Sequence, residues 1–176
     1  MNKYKLLKSD YVKTPKWCAE DMIGWFNPVG KVLDPCRGEN KVFWNILKCD
    51  WNEITEGSDF FENDNRYDWI IGNPPYSIFN KWLRHSYKIG KNIVYLLPTF
   101  KVWNPLSLAR LYRDSGGIKH IRLYDAGKRI QTFRDSSFNT FIKITNETLC
   151  QKTRKRNPIR INMRDIKLQF SKHNMC

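Results

Sequence analysis

The sequence predicts an α/β fold, an open three-layer sheet that is mostly parallel and ends in an antiparallel strand pair. Three observations predict it. Short apolar runs alternate with segments of helical spacing, as in strand–helix–strand units. Asp68-Trp69-Ile70-Ile71-Gly72 and Asn92 to Leu97 are near-continuous apolar runs, the pattern of strands buried on both faces. The last two runs, Ile118–Tyr124 and Phe138–Ile144, follow one another without a helix between them, so they return antiparallel.

Each element has its own local reason. Thr14-Pro15 predicts a helix start with Thr as cap and Pro at the first helical position, and Cys18, Met22, Trp25 and Phe26 follow at helical spacing. Val32-Leu33 is a short strand ending in the loop Asp34-Pro35-Cys36-Arg37-Gly38. Glu39 to Lys48 is predicted helical, with Val42, Phe43, Ile46 and Leu47 on one face. A strand covers Cys49 to Ile54, and the stretch Glu56–Tyr67 is too short for a full crossover helix plus strand. Ser77 to Ile89 is a helix that buries Ile78, Phe79, Trp82 and Leu83. Pro98 stops the strand Asn92 to Leu97, and Pro105 to Asp114 forms a further helix closed by Gly116-Gly117. Residues 1–149 read as one domain and 150–176 as a basic arm with a short strand at Ile159–Met163.

Composition limits the function classes. The chain has 176 residues, 41% hydrophobic and 14% aromatic, with a formal charge of +14. That is a folded globule and not a disordered polybasic chain. The charge is uneven. Residues 31–99 are neutral overall, residues 100–149 carry +5 and residues 150–176 carry +7. An acid-containing half suits a cationic small molecule, and a basic half suits phosphates. No apolar run approaches the roughly 20 residues of a membrane span, and the N-terminus lacks the apolar core of a secretory signal. Five cysteines without a CxxC spacing predict neither a disulfide framework nor a metal site, and point to a reducing, intracellular location in a bacterial or virus-infected cytoplasm.

The residues that carry chemistry lie at strand ends, where open α/β sheets bind ligands. Asp34 to Gly38 is a glycine-containing turn that lets backbone approach a ligand. Glu53 follows the second strand, where a carboxylate can accept from a ribose. Asp59-Phe60 can pair a hydrogen bond to an adenine amino group with apolar packing on its ring. Each of these also suits an ordinary turn or core role. Asn73-Pro74-Pro75-Tyr76 is far more specific. Two prolines remove two backbone donors and fix φ, so the segment is rigid and its carbonyls are free to accept. The Asn73 amide oxygen and the Pro74 carbonyl can then accept from one amino group, and Tyr76 supplies an aromatic face.

VLDPCRGEN, SDFF and DWIIGNPPYS, in this order, resemble the class I S-adenosylmethionine-dependent amino-methyltransferases, in particular the DNA N6-adenine type of gamma motif order. The resemblance covers residues 10–145 and implies a Rossmann-like three-layer sandwich with S-adenosylmethionine as cofactor. It implies that Tyr11, Thr14 and Pro15 contact the methionine part, and that Asp34, Pro35, Cys36 and Gly38 line its pocket. It further implies that Glu53 binds ribose, that Asp59 and Phe60 hold the adenine, and that Asn73, Pro74 and Tyr76 serve the target base, with Asn73 also beside the cofactor. Phe133 is the best match to a second stacking aromatic, and Phe138 the next. Lys128, Arg129 and Arg134, with Arg154, Lys155, Arg156, Arg160 and Arg164 of the arm, are candidates for phosphate contacts. Cys36 is no nucleophile in this chemistry, because amine methylation needs no covalent intermediate.

Two departures stand out. The family usually shows a second glycine where Asn40 lies, and it normally carries a large target-recognition domain. The implied partner is therefore DNA, with specificity low or supplied by a second copy or another protein. RNA as substrate, or a non-catalytic nucleic-acid-binding subunit, are the alternatives the residues leave open.

Overall fold

The computed structural model describes residues 4, 6–7, 10–98, 101, 106–123, 139–145 and 167–170. Among the described residues seven strands form one sheet: β1 (Val32–Asp34), β2 (Asp50–Trp51), β3 (Tyr67–Gly72), β4 (Gly90–Pro98), β5 (Ile118–Leu123), β6 (Asn139–Thr145) and β7 (Lys167–Phe170). Their order is β2-β1-β3-β4-β6-β5-β7. The first four are mutually parallel, and β6 runs antiparallel to both β4 and β5. The mostly parallel sheet with its antiparallel pair is the predicted fold class.

The three layers follow from alternation along the strands, whose successive side chains point to opposite faces. Leu33, Ile70, Ile93, Tyr95 and Leu97 pack on one face with α3 (Phe79–Ile89) and α4 (Leu106–Ser115). Val32, Ile71, Val94 and Leu96 pack on the other with α1 (Lys16–Phe26) and α2 (Val42–Leu47). Both faces being covered is why β3 and β4 are unbroken apolar runs.

Several boundaries differ from expectation, each for a tertiary reason. Helix α1 starts at Lys16, one residue later than predicted, and Thr14 does not cap it because its hydroxyl and carbonyl accept from Asn73 and Asn40. Helix α2 is shorter than Glu39–Lys48, since Lys41 sits in the left-handed region at φ 48°. The second strand shrinks to two residues, after which Asn52 N–H donates to Asp34 O and Arg37 N–H donates to Asn52 O. The crossover from β2 to β3 is reduced to two single turns of 3₁₀ helix, Ile54–Glu56 and Phe60–Glu62. In the basic arm, Ile159–Met163 lies outside the described residues. Lys167–Phe170 adds to the sheet edge, parallel to β5. Among the described residues no helix is long and apolar enough to cross a membrane.

Candidate active site

The carboxyl ends of β1 and β3 converge. Asp34, last in β1, is fully buried. Its Oδ1 accepts the Cys36 N–H at 3.3 Å, while Oδ2 is buried with no hydrogen-bond partner among the described residues. Burial lifts its carboxyl to about 7, helped by the nearby Glu53 and opposed by the Cys36 N–H and Arg37. Burial and the Asp34 charge also push the Cys36 thiol up, so it stays protonated and donates to the Asn73 carbonyl at 3.1 Å. Gly72 permits this approach. A Cβ there would lie 3.1 Å from Pro35 Cδ and 3.4 Å from Asp34 Oδ1. Gly72→Ala is therefore expected to lower stability by about 1–3 kcal/mol, seen as a fall in the urea midpoint at unchanged slope.

The next residues join the β1 loop to the turn after β2. Gly38, at φ +62°, donates its N–H to Glu53 Oε2 at 2.8 Å. The other carboxylate oxygen caps the following turn, accepting from Thr55 N at 3.1 Å and Thr55 Oγ1 at 2.8 Å. Arg37 locks the pair of segments. Its side chain is only 5% exposed, pairs with Glu56, and lies 3.5 Å over the Trp51 ring. The Arg37 hydrogen bond in turn holds the Glu56 carboxyl below its usual range. A planar guanidinium can lie flat on the Trp51 ring while its edge pairs with Glu56, which an ammonium cannot match in shape. Arg37→Lys is expected to cost about 2 kcal/mol of stability, the size of a desolvated cation–π contact, and thermal unfolding measures it.

Asp59 and Phe60 part company. Asp59 Oδ1 accepts the Phe61 N–H at 2.9 Å, and Oδ2 accepts the Tyr4 hydroxyl at 3.0 Å. Asp59 also borders an open polar groove of about 590 Å³, with Trp51, Asn52, Ser58 and Asn63 along the β2 edge. Phe60 is 2% exposed and stacks on Trp82 at 4.4 Å, which leaves its ring almost no surface for a ligand. The partly exposed ring is that of Phe61, tilted against Tyr4 at 4.8 Å with Lys81 Nζ 4.4 Å from its centroid. Two adjacent aromatics in one turn point different ways, and the core takes the first.

At the end of β3, Pro74 and Pro75 are buried and Asn73 is half-buried. The Asn73 amide nitrogen donates to Thr14 Oγ1 at 3.2 Å and lies 3.4 Å from the Val12 carbonyl. Its oxygen accepts the Tyr76 hydroxyl at 2.6 Å. Burial raises the Tyr76 hydroxyl far above its ordinary value, so it remains a donor. Thr14, Asp34, Cys36, Gly38, Glu53, Asn73 and Tyr76 thus stand in one connected region, with Pro35 against Gly72. Tyr11 does not share this burial. It is 62% exposed, and Pro15 serves as the N-cap of α1. Phe133, Phe138, Lys128, Arg129, Arg134, Arg154, Lys155, Arg156, Arg160 and Arg164 lie outside the described residues.

Sequence reasoning missed three supports. Asp10 accepts from Ser77 N at 2.9 Å and from its hydroxyl, Asn40 Nδ2 donates to the Thr14 carbonyl at 2.8 Å, and Arg37 makes the clamp above. Nothing local marks Asp10, whose partner is 67 positions away. A long basic side chain inside a turn otherwise built of small residues is the one signal that pointed to Arg37.

By sequence the chain matches no known family and no curated protein. Its structure resembles that of a Listeria monocytogenes protein assigned as a class I S-adenosylmethionine-dependent methyltransferase. The TM-score is 0.59 at 10% identity, over 96% of this chain and 68% of that one. The chain has the class I methyltransferase fold. Two further structures share the class I methyltransferase fold with it. A Pyrococcus horikoshii protein assigned as an RNA methyltransferase matches with TM-score 0.55 and 13% identity, over 83% of this chain and 92% of that one. A modification subunit of a type I restriction enzyme from Vibrio vulnificus matches with TM-score 0.55 and 12% identity, over 79% of this chain but 45% of the subunit.

Proposed function

We propose that the chain transfers a methyl group from S-adenosylmethionine to the exocyclic N6 amine of adenine in DNA, with low or partner-supplied sequence specificity. The observation that carries this reading is the state of Asn73. Its amide oxygen accepts one hydrogen bond from Tyr76 and keeps a second lone pair, and the Pro74 carbonyl follows it in a segment where two prolines remove two backbone donors. Two such acceptors suit one amine with two N–H groups.

The fold implies S-adenosylmethionine, and the residues present fit it. The buried Asp34 Oδ2, without a hydrogen-bond partner among the described residues, is a carboxylate oxygen whose charge suits attraction of a cationic amino-acid moiety. Glu53, at the tip of β2, suits ribose hydroxyls, and Asp59 with the exposed side of Phe61 suits an adenine. When bound, the cofactor supplies an electrophilic methyl on sulfonium. The chain's own contribution is to position the amine and to accept its N–H groups as positive charge develops on nitrogen. Tyr76 then offers its ring to a base taken out of the helix stack. The positive excess beyond the tetrapeptide supports a phosphate-bearing substrate. The restriction-modification neighbour supports DNA and a partner that supplies specificity.

A second reading has its own support. One structural neighbour is assigned as an RNA methyltransferase, so structured RNA is the competing substrate. Transfer of labelled methyl to unmethylated duplex DNA and to structured RNA decides between them. Incorporation into DNA with label at adenine N6 is expected. Incorporation into RNA alone would move the assignment to the second reading, and no heat on titration with S-adenosylmethionine would remove both.

A further inference from the structure

The two ends of an asparagine amide are nearly identical in shape, yet one accepts and the other donates. A rotation of half a turn about the last bond of Asn73 would present NH₂ groups, and not oxygen, to an amine. Tyr76 does little to prevent it, because a hydroxyl can accept as well as donate. Thr14 Oγ1 accepts from Asn73 Nδ2 at 3.2 Å and so favours the nitrogen on that side, although a hydroxyl alone could also donate. The Val12 carbonyl can only accept, and it lies 3.4 Å from Asn73 Nδ2. In the rotated state two carbonyl oxygens would face each other there.

The decision therefore rests on where the segment from Asp10 to Thr14 lies, and two side chains fix it. Asp10 ties its start to Ser77 N at 2.9 Å, next to the tetrapeptide. Asn40 ties its end, donating to the Thr14 carbonyl at 2.8 Å. Thr14 is itself only 6% exposed. We propose that residues 10–14 form a clamp that sets the amide orientation of Asn73, with Thr14 and Asn40 as positioning residues, Thr14 not serving as a cofactor ligand. The clamp explains why an asparagine can replace a loop glycine here, because its side chain supplies an anchor that glycine lacks. It also links the loop after β1, through Asn40 and Thr14, to the catalytic tetrapeptide. This inference rests on the proposed methyl transfer for its kinetic consequence, but the amide orientation is a property of the free protein.

The test uses the full chain and three substitutions. Asn40→Asp keeps shape but cannot donate, Thr14→Val keeps shape but cannot accept, and Thr14→Ser restores the hydroxyl. The side-chain amide resonances of Asn73, identified by their loss in Asn73→Ala, are recorded in the free protein together with thermal midpoints. The first two variants are expected to shift this amide pair and speed its exchange with water. They are expected to lower kcat by about tenfold to a hundredfold, the cost of a mis-set reacting group, with cofactor Kd within about threefold. Thr14→Ser is expected to recover most of the loss. An unchanged Asn73 amide pair in both variants overturns the clamp, as does a tenfold loss of cofactor affinity in Thr14→Val with kcat intact. If the parent chain neither binds the cofactor nor transfers methyl, the functional assignment fails, while the amide resonances still decide the clamp.

Discussion

Asn73→Ala is expected to reduce methyl transfer by about 10²–10³-fold, the usual cost of deleting one preorganised group that stabilises transition-state charge. Cofactor affinity should stay within a few-fold, because the pocket around Asp34 and Glu53 is built by other residues. The contrast with Tyr76 sharpens the expectation. Tyr76→Phe deletes only the 2.6 Å hydrogen bond to the Asn73 oxygen and keeps the aromatic ring, so its loss should be about tenfold or less. Tyr76→Ala also removes the stacking face, worth about 1–3 kcal/mol per base. Single-turnover transfer of labelled methyl, paired with calorimetric titration of the cofactor, separates the three. Near-parental turnover in Asn73→Ala would remove Asn73 from the catalytic centre.

Asp34 carries the largest expected pH effect. An aspartate in an unfolded chain titrates near 3.9, whereas burial first, and the charge on Glu53 in addition, lifts Asp34 to about 7 in the fold. Between these values the folded chain holds a proton that the unfolded chain has released. Stability from this group is therefore fully present below about pH 4 and declines as pH rises through 7, by about 4 kcal/mol. Asp34→Asn, neutral at every pH, is expected to raise the thermal midpoint by several degrees at pH 8 and to change it little at pH 4. Its effect on binding should run the other way. An ionised Asp34 attracts a cationic ligand, so the affinity of the parent chain for S-adenosylmethionine should increase up to about pH 7 and then level off. In Asp34→Asn that slope should vanish and the affinity at pH 8 should fall at least tenfold. A pH-independent affinity in the parent chain would show that the buried carboxyl does not face the cofactor.

Much of the layout was legible because it depends on local chemistry. The unbroken apolar runs of β3 and β4 report burial on both sheet faces, and the alternation Ile70/Ile71 and Ile93/Val94 assigns each side chain to its layer. The double proline after Asn73 marks a rigid strand end without knowledge of any partner. Phe60 and Phe61 were not separable in this way. Both are phenylalanines in one turn that reach Trp82 and His85 on α3, and only the fold brings the Phe60 ring closer to each, at 4.4 and 4.8 Å, than Phe61 at 5.4 and 5.6 Å. Strand β7 lies beyond the Ile159–Met163 strand expected in the arm, and its parallel pairing with β5 joins residues far apart in the chain.

Alone, the sequence determined the fold class, the order of the loops around the pocket, the tetrapeptide at the end of β3, and the concentration of positive charge beyond it. These depend on residue type and spacing, which a linear chain carries in full. The tertiary structure decided which oxygen of Asp34 lacks a partner, which ring of the Phe60-Phe61 pair stays open, and which way the Asn73 amide points. Each of these depends on atoms brought together from far apart in the chain. Thr14 meets Asn73 across 59 positions and Asn40 across 26. Hydrogen bonds act over about 3 Å whatever the sequence separation, so only the folded chain can specify them.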